Sequence, residues 1–199
     1  MGFIEMEKLS RKDLYPLEKY AEIRPQFRAE ILKHKKNRLV PIGPNAMLYF
    51  EDRKTIQYQI QEMLRIERIF EPDGIQEELD VYNPLIPDGT NWKATFMIQY
   101  EEPEERKKAL DRLIGIERSV RIKVEGFDPV TPVANEDLEE EPEAKKSSVH
   151  FLRFELTPEM IAAVKEGAAI SVAINHPAYR YQTAPLPEAT RASLVKDLN

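Results

Sequence analysis

VHFLRFELTPEMIAAVKEGAAISVAIN, residues 149–175, is the stretch from which the fold is read. Leu152, Phe154 and Leu156 alternate with Arg153 and Glu155, the period-2 pattern of a half-buried strand. Thr157 followed by Pro158 and Glu159 is a helix start, with a hydroxyl cap and proline in the first turn. Gly167 is a helix stop. Ile170, Val172 and Ile174 then alternate with Ser171 and Ala173, which predicts a second strand over 168–175.

The same signals extend in both directions. Residues 179–182 continue the sheet beyond Pro177, and a C-terminal helix follows Leu186-Pro187. Upstream, Val120, Ile122 and Val124 alternate with Arg121, Lys123 and Glu125, and 130–134 is expected to return beside that strand. Trp92, Ala94, Phe96 and Ile98 alternate with Lys93, Thr95, Met97 and Gln99, a strand with one wetter face. Residues 103–113 read as a helix. Short strands at 39–42 and 46–50 flank the Gly43-Pro44 turn. Residues 1–38 form an N-terminal helical segment, with one short helix broken before Pro25 and a second over 25–37. Short helical and mixed connections between strands predict a single α+β domain over 1–199. Its sheet is largely antiparallel, with a long central helix and flanking helices.

That long helix is expected over 52–70. On a wheel of ~100° per residue with Ile56 at zero, Ile60, Met63, Leu64 and Phe70 fall on one face, and Glu67 lands among them at about 20°. A carboxylate within an apolar face must be paired. Arginine pairing is the structural reading, and a functional site is the sharper one.

Strand parity supplies candidate companions. His150 shares a face with Leu152, Phe154 and Leu156, and His176 with Ile170, Val172 and Ile174. Two neutral imidazoles and the Glu67 carboxylate would suit non-haem iron or zinc. Whether they meet depends on the relative direction of strands 149–156 and 168–175, which spacing leaves open. Two core or edge histidines is the plainer reading. Glu30 and His34, four apart on one helix, are a weaker metal pair.

A basic run (Arg24, Arg28, Lys33, Lys35, Lys36, Arg38) gathers toward a helix C-terminus, where the dipole favours cations. With Arg65 or Arg68 it is also a candidate cradle for a small anionic ligand. The acidic run at 136–147 reads as a mobile loop, and as a docking tag if a basic partner exists. Trp92, the one tryptophan, reads as a core anchor.

Composition bounds the rest. The chain has 199 residues, no cysteine and a net charge of −6. It therefore lacks disulfides, thiolate metal ligands and a cysteine nucleophile. The acidic balance argues against a nucleic-acid binder. Neither a signal peptide nor a membrane span is legible, so a cytoplasmic protein is expected. No Gly-x-Ser-x-Gly, His-Glu-x-x-His or phosphate-loop motif occurs, and catalysis is left open.

Four strings carry a resemblance: Leu48-Tyr49-Phe50-Glu51-Asp52-Arg53, Tyr58-Gln59-Ile60-Gln61-Glu62-Met63-Leu64-Arg65, Tyr82-Asn83-Pro84-Leu85-Ile86-Pro87 and Ser147-Ser148-Val149-His150-Phe151-Leu152-Arg153-Phe154. Together they resemble the bacterial Domain of Unknown Function family 3501 across nearly the whole chain. The resemblance implies no activity. It implies a setting beside rubrerythrin-like and iron–sulfur proteins, hence an accessory or binding role in redox or peroxide metabolism.

Overall fold

The computed structural model describes residues 7–136 and 146–199. Most of the acidic run at 136–147 lies outside them. The fold is α+β, as the segment pattern predicted, but the strands divide between two antiparallel sheets. The first has the order β1 (Leu39–Ile42), β2 (Ala46–Phe50), β3 (Asn91–Ile98), β6 (Val149–Glu155), β5 (Val133–Ala134). The second is β4 (Val120–Val124), β7 (Ile170–His176), β8 (Tyr179–Gln182). Residues 130–134 do not simply return beside β4. Val130 bridges Ile122, and the chain then crosses to the first sheet, where Val133 and Ala134 pair with Arg153 and Leu152 of β6. Strands β6 and β7, whose relative direction spacing left open, thus belong to different sheets.

The two sheets close over one core. Leu48, Phe50, Trp92, Phe96, Leu152 and Phe154 from the first meet Ile122, Val124, Val172 and Ile174 from the second. The strand parities expected from sequence therefore hold. Helices α4 (Pro103–Arg112), α5 (Pro158–Lys165) and α6 (Glu188–Val195) add Ala109, Val164 and Leu194 to this core. Trp92 is the anchor it promised to be. Its side chain is fully buried and its Nε1 donates to the Leu194 carbonyl at 3.0 Å.

The other face of the first sheet carries a helical layer with its own smaller core of Leu9, Ile56, Ile60, Leu64, Leu79 and Ile86. It is built by α1 (Leu17–Lys35), α2 (Arg53–Ile66) and α3 (Pro72–Tyr82). Helix α1 is continuous through Pro25, where two helices were expected. An interior proline removes one backbone hydrogen bond and costs about 3 kcal/mol. Here both halves are anchored: Tyr20 and Ile31 are fully buried, and the Tyr20 hydroxyl donates to Glu62 on α2 at 2.6 Å. The Arg24–Glu62 and His34–Asp52 contacts set α1 antiparallel to α2.

Helix α2 opens on Asp52, whose carboxylate accepts from the Thr55 amide at 2.9 Å. It stops at Ile66, before the expected end. Arg68 adopts a left-handed conformation (φ 53°), and the Ile69 amide reaches back to the Leu64 carbonyl at 2.9 Å. This is a Schellman closure with arginine where glycine is preferred. Left-handed backbone costs a non-glycine residue about 1–2 kcal/mol. Arg68→Gly should therefore raise the unfolding free energy by on the order of 1 kcal/mol, read as a Tm about 2–4 °C higher for a chain of this size.

Candidate functional site

The early end of α2 removes the premise of the carboxylate site. Glu67 is the C-cap of the helix and is solvent-exposed, and Phe70 beyond it is 70% exposed. The wheel angle presumed a helix that the left-handed Arg68 interrupts. Burial of the two histidines is as parity predicted, but their rings are engaged. The His150 Nε2 donates to the Ser147 carbonyl at 2.9 Å, and its Nδ1 accepts from the Asn135 amide at 3.2 Å. The His176 Nε2 donates to the Ile114 carbonyl at 3.1 Å, and its Nδ1 accepts from the Ala178 amide at 3.2 Å. Four ring nitrogens in hydrogen bonds leave no free lone pair for a ligand bond. Among the described residues, no three His, Asp or Glu side chains come together as a metal-binding group. The proposed set of His150, His176 and Glu67 is not assembled.

The basic run separates into different fates. The Arg24 guanidinium grips Glu62, at 2.7 and 3.0 Å, and holds that carboxyl below its ordinary range. Arg38 is buried. Its Nε donates to the Phe50 carbonyl at 2.9 Å, its Nη1 to Ser193, and its Nη2 to Asp197 near the C-terminus. Parity with Val40 and Ile42 places residue 38 on the same buried face, a signal the composition of the run obscured. Lys35 lies over the Tyr58 ring, 5.2 Å from its centroid. Arg65 and Arg68 are exposed at the far end of α2, and the antiparallel arrangement puts them away from Lys35. The cradle imagined between the two groups does not form.

What Lys35 does border is a cleft of about 480 Å³ between the outer face of the first sheet and the helical layer. The cross-strand rows Tyr49–Thr95–Phe151 and Met97–Val149 make its floor. These are the positions opposite the core parity, the wetter face of β3 and its neighbours. Ile56 and Gln59 of α2, Tyr82 at the end of α3 and Leu85 in the 3-10 turn after it make the walls. Arg38 and Glu51 close one end. Glu51 is held between two hydroxyls, accepting from Thr95 Oγ1 at 2.8 Å and from Thr55 Oγ1. The Lys35 amine, Gln59 amide and Tyr82 hydroxyl, by contrast, have no hydrogen-bond or ion-pair partner among the described residues. The size, the apolar floor and the few polar groups at the rim are those of a small-molecule site.

Among the described residues, no helix is long and apolar enough to cross a membrane. The family model "Protein of unknown function (DUF3501)" matches residues 8–198. The chain is also similar to a crystal structure of a novel protein of unknown function from Burkholderia pseudomallei K96243. The two share 49% identity over 97% of this chain and 100% of that one, with a TM-score of 0.93. No curated protein matches.

Proposed function

Because the chain belongs to the DUF3501 family, whose description carries no activity, we propose a function from the cleft itself. The protein is a binding protein for a small amphipathic acid. The carboxylate or equivalent anion of the ligand meets Lys35 at the rim, with Gln59 and Tyr82 as further polar contacts, and the apolar body lies on Met97, Val149 and Phe151. The carrying observation is a trio of half-exposed polar side chains, without hydrogen-bond or ion-pair partners among the described residues, around an apolar floor. Polar groups elsewhere around this cleft, such as Glu51 and Arg38, are satisfied by the protein. Half-exposed donors beside an apolar surface can exchange water for a ligand that supplies both an acceptor and hydrocarbon.

The redox-accessory expectation and its rubrerythrin-like or iron–sulfur partners rest on the resemblance alone, and neither the family description nor this cleft adds support.

Calorimetric titration with medium-chain alkanoates, arylalkanoates and alkyl sulfonates tests the reading. Binding of at least one class is expected. It should weaken about tenfold in Lys35→Ala, the loss of one charged contact. It should vanish in Phe151→Asp, which puts a like charge on the floor. Heats indistinguishable from dilution for all classes, or binding untouched by both substitutions, would end the proposal.

A further inference from the structure

At the start of β6, a buried imidazole, a buried carboxylate and an asparagine meet beside the cleft floor. His150 is buried, its ring tilted by 33° against that of Phe96 with centroids 6.3 Å apart. Its hydrogen bonds fix its protonation. The Ser147 carbonyl can only accept, so Nε2 carries the proton. The Asn135 side-chain oxygen accepts from the Phe151 amide at 3.0 Å, so its NH₂ faces His150 and Nδ1 must be bare. Asn135 is held in left-handed backbone (φ 51°), and its own amide donates to the Phe151 carbonyl at 2.8 Å. It thus clasps Phe151 by two bonds and His150 by a third.

Glu117 approaches from the turn after α4. It is 6% exposed, and its Oε2 lies 4.0 Å from His150 Nε2 with no hydrogen-bond partner. Arg118 stands 3.8 Å from the other Glu117 oxygen. From the neighbouring elements, β3 sets Phe96 opposite His150, Asn135 reaches it from just after β5, and among the described residues Glu117 is the one charge acting on it. Lys146, just before Ser147, is bound to Asp111 of α4 at 2.6 Å.

We propose that His150 is a proton-operated latch on the cleft. A proton added at Nδ1 turns an acceptor into a donor facing the donor NH₂ of Asn135. Turning the Asn135 amide over to meet it would set NH₂ against the Phe151 amide instead. Either way one bond of the clasp is lost, while the waiting Glu117 carboxylate draws the imidazolium toward itself. The segment released is β5, two residues long, together with the hold on Phe151, whose ring floors the cleft. Burial keeps the His150 imidazole below its ordinary value near 6.5, with Glu117 opposing, so the latch is closed at neutral pH. This regulation rests on the cleft being a binding site, but the latch itself can be read without any ligand.

Two measurements on the full chain separate the parts. NMR follows the His150 ring and the exchange protection of the Phe151 and Asn135 amides from pH 7.5 to 4.5, without ligand. Protonation of His150 should coincide with at least tenfold loss of protection at both amides, and Glu117→Gln should move both events to lower pH. A ring that titrates while the protection persists overturns the latch, as does a ring that stays neutral throughout. Octanesulfonate, charged at every pH used, then probes the cleft. Its affinity should fall at least threefold below the ring's midpoint, and Asn135→Ala should be weak at both ends of the range. Affinity that ignores the ring's state overturns the coupling. No octanesulfonate binding at pH 7.5 counts against the cleft reading and leaves the amide result standing.

Discussion

Arg38→Ala should lower the unfolding free energy by about 3–5 kcal/mol, the cost of stranding the other half of a buried ion pair. For a chain of this size that is a fall in Tm on the order of 10 °C. The guanidinium ties three parts of the molecule: the end of β2 through the Phe50 and Glu51 carbonyls, α6 through Ser193, and the last residues through Asp197. Alanine leaves the Asp197 carboxyl 3% exposed with no counter-charge inside. Burial already pushes that carboxyl up, to about 7, against the pull of Arg38. A carboxyl raised in this way binds a proton in the fold that the unfolded chain has released. Its contribution to stability is full below the ordinary value near 3.8 and is lost as pH rises toward 7. Without Arg38 the climb goes further, so the variant should be more damaged at pH 8 than at pH 5. Denaturant unfolding at the two pH values measures both effects. The double variant Arg38→Met with Asp197→Leu should recover most of the loss, because no charge is left where Asp197 was, and Asp52, 3.5 Å from Arg38 Nη1, keeps its contact with His34. A single-variant cost under about 1 kcal/mol would mean that water reaches the pair and that it organises nothing.

Arg38 carries two local signals that point in opposite directions. Its parity with Val40 and Ile42 marks it as inward-facing, yet among six neighbouring cations it reads as part of a solvated helix end. Parity was reliable wherever a strand was long enough. It gave the buried faces of β3, β4, β6 and β7, including both histidines, and by exclusion the floor of the cleft. It is silent on which strand pairs with which, because a buried face does not name its neighbour. Hence the division into two sheets, and the crossing of residues 130–134 between them, is a property of the folded chain that no local pattern carries. Glu67 failed for a different reason. A wheel is valid only within the helix, and the chain leaves α2 at Arg68, a residue with no helix-stop signal of its own. Proline gave the opposite error at Pro25, where packing on both sides outweighs a local penalty. The unpartnered Lys35, Gln59 and Tyr82 could not be foreseen, since a missing partner is a property of three elements brought together in space.

Gly43→Val should cost at least about 3 kcal/mol, from two sources that can be separated. Gly43 turns the chain between β1 and β2 at φ +70°, where a side chain costs about 1–2 kcal/mol by backbone alone. A Cβ there would also stand 2.5 Å from Tyr181 Cγ and 2.6 Å from the Tyr179 hydroxyl. That hydroxyl joins the two sheets: it donates to the Ile42 carbonyl at 2.6 Å and accepts from the Asn45 amide at 3.0 Å. Tyr181 is 45% exposed and can swing away, but Tyr179 is buried and cannot move without breaking the joint. Gly43→Ala in a Tyr181→Ala background should therefore relieve part of the overlap and retain the backbone share, a coupling that a double-mutant cycle reads directly. Pairing of β1 with β2 should survive, since its four-residue register does not involve the glycine. The damage should instead appear as loss of exchange protection at the Asn45 amide, ahead of the β1 and β2 amides. If the valine variant unfolds within about 1 kcal/mol of the parent, the turn has room that these distances deny, and the tyrosine joint between the sheets contributes little.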